Sequence, residues 1–196
     1  MRIVGGRWRG RRLASLGAGD PGAHLRPTTD RVREAIFNLL AHGGHAEALD
    51  GTRVLDAFAG TGAMGLEALS RGAAQATFVE TGRRALAVLR ANVAALDAPA
   101  RIHARDATRP GPGAPHDLVL LDPPYGRGLG EAAMRALGAE GWIAPGALVV
   151  WEEGAELPPP EGLRQIDRRR WGGTVVTLLR AAGPCALRVF LAHLAS

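Results

Sequence analysis

The stretch Asp117-Leu118-Val119-Leu120-Leu121-Asp122-Pro123-Pro124-Tyr125-Gly126 limits the choice of fold more than any other part of the chain. Apolar residues in unbroken succession fit a strand covered on both faces, as in the middle of a parallel sheet flanked by helices. Two prolines then stop the strand, because neither can donate to a ladder. In open parallel sheets ligands bind outside the carboxyl ends of the strands, so Asp122 to Tyr125 stand where chemistry is expected.

Pro123 and Pro124 lack an N–H, which leaves their carbonyls free to accept while the rigid backbone fixes their direction. With the Asp122 carboxylate they offer acceptors suited to the two protons of a flat exocyclic amine, and Tyr125 can stack on the ring that carries it. The plainer alternative is a β-turn that ends in an exposed aromatic, since Pro-Pro commonly terminates strands. Both readings stand on this segment alone.

The rest of the chain supplies the sheet. From Thr52 to about Glu153 strand and helix signals alternate as in α/β domains. Strands are expected at about 52–56, 76–80, 101–106, 117–122 and 147–152, and helices at about 62–71, 82–96 and 129–138. Two further strands, about 163–170 and 174–180, are joined by Trp171-Gly172-Gly173, a hairpin turn. The expected architecture is a mostly parallel sheet closed by an antiparallel hairpin.

The first strand runs into Asp56-Ala57-Phe58-Ala59-Gly60-Thr61-Gly62-Ala63-Met64-Gly65, which matches G-x-G-x-x-G, and Glu80 ends the next strand about where a ribose-binding acid is expected. Asp56 argues against a dinucleotide, because a carboxylate at the strand tip repels pyrophosphate. S-adenosylmethionine carries no phosphate but does carry an ammonium and a sulfonium, which a carboxylate favours. Glu80 is then placed for the ribose hydroxyls, and Asp106-Ala107 for the adenine. Individually, Glu80 reads equally as an exposed strand end and Asp106 as a helix cap.

The chain of 196 residues is 46% hydrophobic and 22% charged, as expected of a folded α/β domain with an appendage. No apolar run is long enough to span a bilayer and the start lacks a signal-peptide core, so a cytoplasmic location is expected. The single cysteine, Cys185, and histidines without ligand spacing argue against a metal site.

The net charge is +5 with no lysine, so placement tells more than residue type. Arg2, Arg7, Arg9, Arg11 and Arg12 crowd the first residues around Trp8 and three glycines, a pattern for a β-hairpin or arm that faces RNA. The alternative is a solvated basic tail. A Gly/Ala/Pro-rich connection, 15–23, leads to Leu25-Arg26-Pro27-Thr28-Thr29 and a helix capped by Thr29 or Asp30. Val32, Ala35, Ile36, Leu39 and Leu40 form its apolar face. Arg31 and Arg33, at its polar entry, are grouped with Arg7, Trp8, Arg9, Arg11 and Arg12 as RNA-facing.

The glycine loop, Asp122-Pro123-Pro124-Tyr125, Leu25-Arg26-Pro27-Thr28-Thr29-Asp30-Arg31 and Gly5-Gly6-Arg7-Trp8-Arg9-Gly10 occur in an order that resembles the bacterial 16S ribosomal RNA guanine-N2 methyltransferase family, small-subunit methyltransferase D type. The resemblance runs to about Arg180. It implies a Rossmann-like class I S-adenosylmethionine-dependent methyltransferase domain over 25–180, preceded by a basic hairpin, 1–24, and followed by a tail, 181–196. It also implies that Asp122, Pro123, Pro124 and Tyr125 hold the guanine amine. Asp56, Phe58, Gly60, Gly62, Glu80, Asp106 and Ala107 would then hold the cofactor, with Arg26, Pro27 and Thr28 closing over it. The implied substrate is 16S ribosomal RNA in an assembling 30S subunit, acted on by a monomer without membrane or metal.

The chain departs from the family at the tail beyond Arg180 and at Gly82, where an acid is often found. Three rivals remain. Adenine-N6 methylation is compatible with Asp-Pro-Pro-Tyr, although on DNA the chain leaves no room for a recognition domain. An oxidoreductase is disfavoured by Asp56, and a catalytically silent RNA-binding assembly factor by the intact acidic set.

Overall fold

The structure, a computed structural model, describes residues 1–16 and 30–183. Its strands are β1 (Arg53–Ala57), β2 (Gln75–Glu80), β3 (Ala100–Ala104), β4 (His116–Leu121), β5 (Ile143–Glu153), β6 (Leu163–Trp171) and β7 (Thr174–Ala181). They form one sheet in the order β3-β2-β1-β4-β5-β7-β6. β1 to β5 pair in parallel, and β7 lies antiparallel between β5 and β6. The expected parallel sheet with a closing hairpin is therefore what the chain forms. The strand 147–152 is the firmly paired part of a longer β5, which reaches back to Ile143 across a register shift opposite His116 and Leu118.

The helices are α1 (Asp30–His42), α2 (Ala63–Ser70), α3 (Arg83–Ala95) and α4 (Leu129–Ala139). Both sheet faces are covered, which explains the unbroken apolar β4. Val54, Phe78, Leu118, Leu120, Leu148 and Val150 form one core with α1, α2 and α3, while Leu55, Val79, Val119, Leu121 and Val149 form the other with α4 and Trp142. No helix lies between β3 and β4. At the amino-terminal edge there, Arg101, His103, His116 and Trp142 help line a cavity of about 420 Å³, remote from the strand tips.

The α1 stripe is Arg33, Ile36, Phe37 and Leu40, spaced i, i+3, i+4, i+7. It is rotated from the expected face, so Val32, Ala35 and Leu39 are only half-buried and Arg33 lies on the buried side. The N-terminal segment is hairpin-like, with Arg2 bridged antiparallel to Arg12 and a short 3-10 turn, Gly6–Trp8, at its tip. It lies against α2, with Ile3 and Leu13 inside the first core. A Cβ on Gly6, whose φ is +73°, would sit 1.8 Å from the Ser70 carbonyl oxygen, so only glycine permits this approach.

Candidate active site

The carboxyl ends of neighbouring strands present Asp56 (β1), Glu80 (β2), Asp122 (just after β4) and Glu152 and Glu153 (β5). Asp56 is buried and its Oδ2 accepts from the Gly65 N–H at 2.8 Å. Burial pushes its pKa well above the usual carboxylate value, and the charges of Asp122 and Glu80 push the same way against the Gly65 hydrogen bond. Asp56 is thus an acid whose ionised form a nearby cation would stabilise. A phosphate would meet only repulsion.

Between β1 and α2 the backbone turns through three left-handed residues, Phe58 (φ +63°), Gly60 (φ +55°) and Gly62 (φ +82°). Phe58 adopts this conformation without being glycine, at a cost of about 1–3 kcal/mol that the surrounding packing offsets. Gly65 has a different reason for its identity. A Cβ there would lie 2.4 Å from the Phe78 ring, so the third glycine lets α2 lie close to β2.

Glu80 is held by backbone: Oε2 accepts from Gly60 N–H at 2.7 Å, and Oε1 from Thr81 at 2.8 Å and Gly82 at 2.6 Å. With two donors on Oε1 and one on Oε2, a single lone pair, on Oε2, is left to accept from a ribose hydroxyl. Gly82, the departure noted in the sequence, supplies one of these donors. Asp106 accepts at Oδ1 from the Thr108 N–H and hydroxyl at 2.8 and 2.7 Å, which holds its pKa below the usual value. It caps the turn after β3, while its Oδ2 lies 3.6 Å from Arg109 and Ala107 is buried beside it.

Asp122 and Pro124 are half-buried and Pro123 is buried. The Tyr125 hydroxyl lies 3.3 Å from the Thr174 hydroxyl at the start of β7, and its ring lies along Gly154. Burial, with help from Asp122, Glu152 and Glu153 and against the Thr174 hydrogen bond, raises the Tyr125 pKa to about 12, so the phenol stays neutral. Glu153 fixes this loop from below, its Oε2 accepting from Gly126 at 3.3 Å and Gly154 at 3.0 Å. The sequence reading passed over Glu153, although the strand-tip rule that selected Asp56 and Glu80 selects it too.

Two further residues were missed. Asn92 lies on the buried stripe of α3 with Ala85, Leu86 and Leu89, and its side chain joins two distant loops. Its Oδ1 accepts from Ala14 N–H at 2.8 Å, and its Nδ2 donates to the carbonyls of Ala14 at 3.1 Å and Thr61 at 3.0 Å. The basic segment and the glycine loop therefore share one amide. Glu67 is fully buried in α2 and accepts from the N–H groups of Val4 and Gly5, both at 2.8 Å, and from Arg71 Nε at 2.7 Å. A lone polar residue in an apolar helical pattern was the available signal for each.

The RNA-facing set needs one correction. Arg33 is fully buried, 3.6 Å from Glu67 and 2.9 Å from Asp30, and donates to the Arg2 carbonyl, so it anchors the N-terminal segment and cannot reach RNA. Arg7, Arg9, Arg11, Arg12 and Arg31 are exposed. Trp8 is half-buried, and the Arg7 guanidinium covers its ring at 4.1 Å, leaving less of it for stacking. Arg26, Pro27, Thr28, the cap at Thr29 and Cys185 lie outside the described residues. Among the described residues no His, Cys, Asp and Glu side chains gather as a metal site, and no helix is long and apolar enough to cross a membrane.

Comparison with known proteins gives a consistent picture. The family model described as conserved hypothetical protein 95 matches residues 1–180. The ribosomal RNA small subunit methyltransferase D of Escherichia coli (strain K12) is 43% identical over 180 residues, covering 89% of this chain and 86% of that protein. Its namesake from Haemophilus influenzae is 36% identical over 182 residues, covering 88% and 89%. The solved yhhF structure from Escherichia coli superposes with a TM-score of 0.80 at 40% identity, covering 93% of this chain and 98% of that one. The strand order, the acid-tipped carboxyl edge and these matches over most of the chain together make it a member of the ribosomal RNA small subunit methyltransferase D family, with the class I methyltransferase fold.

Proposed function

We propose that the protein methylates the exocyclic N2 amine of a guanine in 16S ribosomal RNA, using S-adenosylmethionine. The observation that carries this reading is the adjacency of two acceptor sets on one sheet edge. Asp122 and the two prolines follow β4 and would accept from a flat amine, while Asp56, Gly60 and Glu80 stand at the tips of the neighbouring β1 and β2. The pocket fits the cofactor, because a buried acid with a raised pKa beside two further carboxylates suits a cation without phosphate. When bound, S-adenosylmethionine would supply a sulfonium methyl with the thioether sulfur as leaving group, and the methylated amine would shed one proton.

The chain's own residues orient the amine. An aryl amine is a poor nucleophile because its lone pair is delocalised into the ring. Acceptors at the Asp122 carboxylate and the Pro123 carbonyl favour a pyramidal nitrogen and stabilise the positive charge that develops on it. Tyr125, neutral and packed along Gly154, offers its ring to an extruded base and offsets part of the few kcal/mol that extrusion costs. Glu80 and Asp106 take the ribose and adenine, and Phe58, Gly62 and Ala107 line the pocket. The family resemblance adds Arg26, Pro27 and Thr28 to this set. The basic segment, 1–24, engages RNA beside the catalytic domain, 25–180, in a cytoplasmic monomer acting on assembling small subunits.

Transfer of labelled methyl from S-adenosylmethionine to free small-subunit RNA and to partly assembled subunits, followed by nucleoside analysis, tests this reading. N2-methylguanosine is the expected product. N6-methyladenosine would overturn the target while keeping the cofactor, and tight RNA binding without transfer would favour a silent assembly factor.

A further inference from the structure

The sheet order divides the carboxyl edge into two halves about the tip of β4. The cofactor residues proposed above lie on β1, β2 and β3, to one side of Asp122. On the other side stand β5, β7 and β6. Because β7 is antiparallel to both neighbours, β6 ends at the same edge as β5, and the Trp171-Gly172-Gly173 turn stands beside Glu153 and Gly154. The pairing of Trp171 with Thr174, and the 3.3 Å contact of Thr174 with the Tyr125 hydroxyl, place this turn directly against the stacking residue.

The end of β6, the edge strand that leads into the turn, carries Arg168, Arg169 and Arg170 on alternating faces, and the structure separates their roles. Arg168 is mostly covered and is used up internally, donating to the Leu157 carbonyl at 2.6 Å and the Thr177 hydroxyl at 3.1 Å. Arg169 and Arg170 remain 55% and 51% exposed, held only by ion pairs to Asp167 at 3.0 Å and Glu156 at 3.3 Å. Exposed pairs of this kind contribute about 0–1 kcal/mol, so a phosphate can displace the acid at little cost. Gly172 and Gly173 bring no side chain to the tip, which lets a nucleic-acid backbone approach.

We propose that the β6–β7 turn forms a second wall of the RNA site, with Arg169 and Arg170 gripping phosphates of the strand that flanks the base stacked on Tyr125. This rests on the RNA-methylating reading above. The wall is separate from the N-terminal segment, which lies against α2 on the cofactor side.

The test is binding of small-subunit RNA across a salt series by wild-type protein and the Arg169→Ala/Arg170→Ala variant, with calorimetry of S-adenosylhomocysteine as a check on the cofactor pocket. The double variant should bind RNA roughly tenfold more weakly, and its slope of log affinity against log salt should fall by about 1.4, from two contacts of about 0.7 each on single-stranded RNA. Cofactor affinity should stay at the wild-type value. Arg101→Ala, at the opposite sheet edge, should change RNA affinity less than twofold and so exclude a general charge effect.

Glu156→Gln leaves both arginines in place and removes a competing anion, so it should bind more tightly than wild type. It is the deciding variant if the double substitution compromises folding. An unchanged slope in the double variant, an equal loss in Arg101→Ala, or weaker binding by Glu156→Gln overturns the wall. Wild-type protein that neither binds nor methylates RNA would overturn the functional reading itself, an outcome distinct from all of these.

Discussion

Asp56 illustrates how position changes the chemistry of an ordinary side chain. Its pKa is raised by burial and by neighbouring acids, so, for this group, the folded, ligand-free protein is favoured more by protonated Asp56 than by ionised Asp56. It should lose stability as pH rises above the ordinary value of 3.8 through the raised folded-state value. Asp56→Asn should flatten that slope in thermal melts of ligand-free protein while weakening S-adenosylmethionine binding; a variant with the wild-type pH slope would remove Asp56 as its source. At the neighbouring tip, Asp122→Asn keeps the shape but not the charge. It should lower kcat by about 100- to 1000-fold, measured by single-turnover methyl transfer, with cofactor affinity retained. Because the Tyr125 phenol is neutral up to about 12, its ring matters more than its proton. Tyr125→Phe should stay within about threefold of wild type, whereas Tyr125→Ala should lose roughly 10- to 100-fold in kcat/KM, the equivalent of about 1–3 kcal/mol of stacking.

The N-terminal segment is fastened to the domain by side chains whose partners lie far away in sequence. Glu67 counters two arginines from within α2 while capping the N–H groups of Val4 and Gly5. Glu67→Gln would leave buried Arg33 with the half-exposed Asp30 as its one remaining countercharge among the described residues and remove the carboxylate paired with Arg71. The expected loss is about 3–5 kcal/mol, seen as a fall in Tm of roughly 6–20 °C for a domain of this size. Asn92→Ala should be milder, at about 1–2 kcal/mol, but more specific in its effect. It severs Ala14 from the Thr61 carbonyl of the glycine loop, so trypsin should cleave more rapidly at Arg9 to Arg12 and cofactor affinity should fall in the same variant. Faster cleavage with unchanged cofactor affinity would show that the two loops are not coupled through this amide.

For the whole molecule, charge placement matters more than the net value of +5. The exposed arginines of the N-terminal segment lie toward the C-terminal ends of α2 and α3, where the Trp8 N–H donates to Ser70 and Arg11 to the Ala95 carbonyl, whereas the carboxyl edge of the sheet is acidic. Replacing Arg7, Arg9 and Arg11 together should reduce the salt slope of RNA binding by about 2, from three contacts of about 0.7 each. A wild-type slope in that variant would take the segment out of the interface. Arg33→Ala should instead act through stability alone, since the residue is fully buried.

The parallel core, the closing hairpin, the glycine loop and the acids at the tips of β1, β2 and β4 were legible in the chain, because each rests on a short-range pattern, whereas the strand order was decided by the tertiary structure. Unbroken apolar runs report double coverage, Gly60 and Gly62 report backbone geometry, and Pro123-Pro124 reports where a strand must stop. What the chain alone left open was the use of polar residues whose meaning depends on a distant partner. Arg33 read as an RNA contact because arginine at a helix entry usually faces solvent; it is buried because Glu67, far along the chain, is brought beneath it by the packing of α1 and the N-terminal segment on α2. Asn92 and Glu153 likewise gained their roles only when packing set Ala14, Thr61 and Gly126 beside them. Local patterns fix which backbone forms and which face it buries, whereas the pairing of buried polar groups is set by three-dimensional proximity, which a linear pattern does not encode.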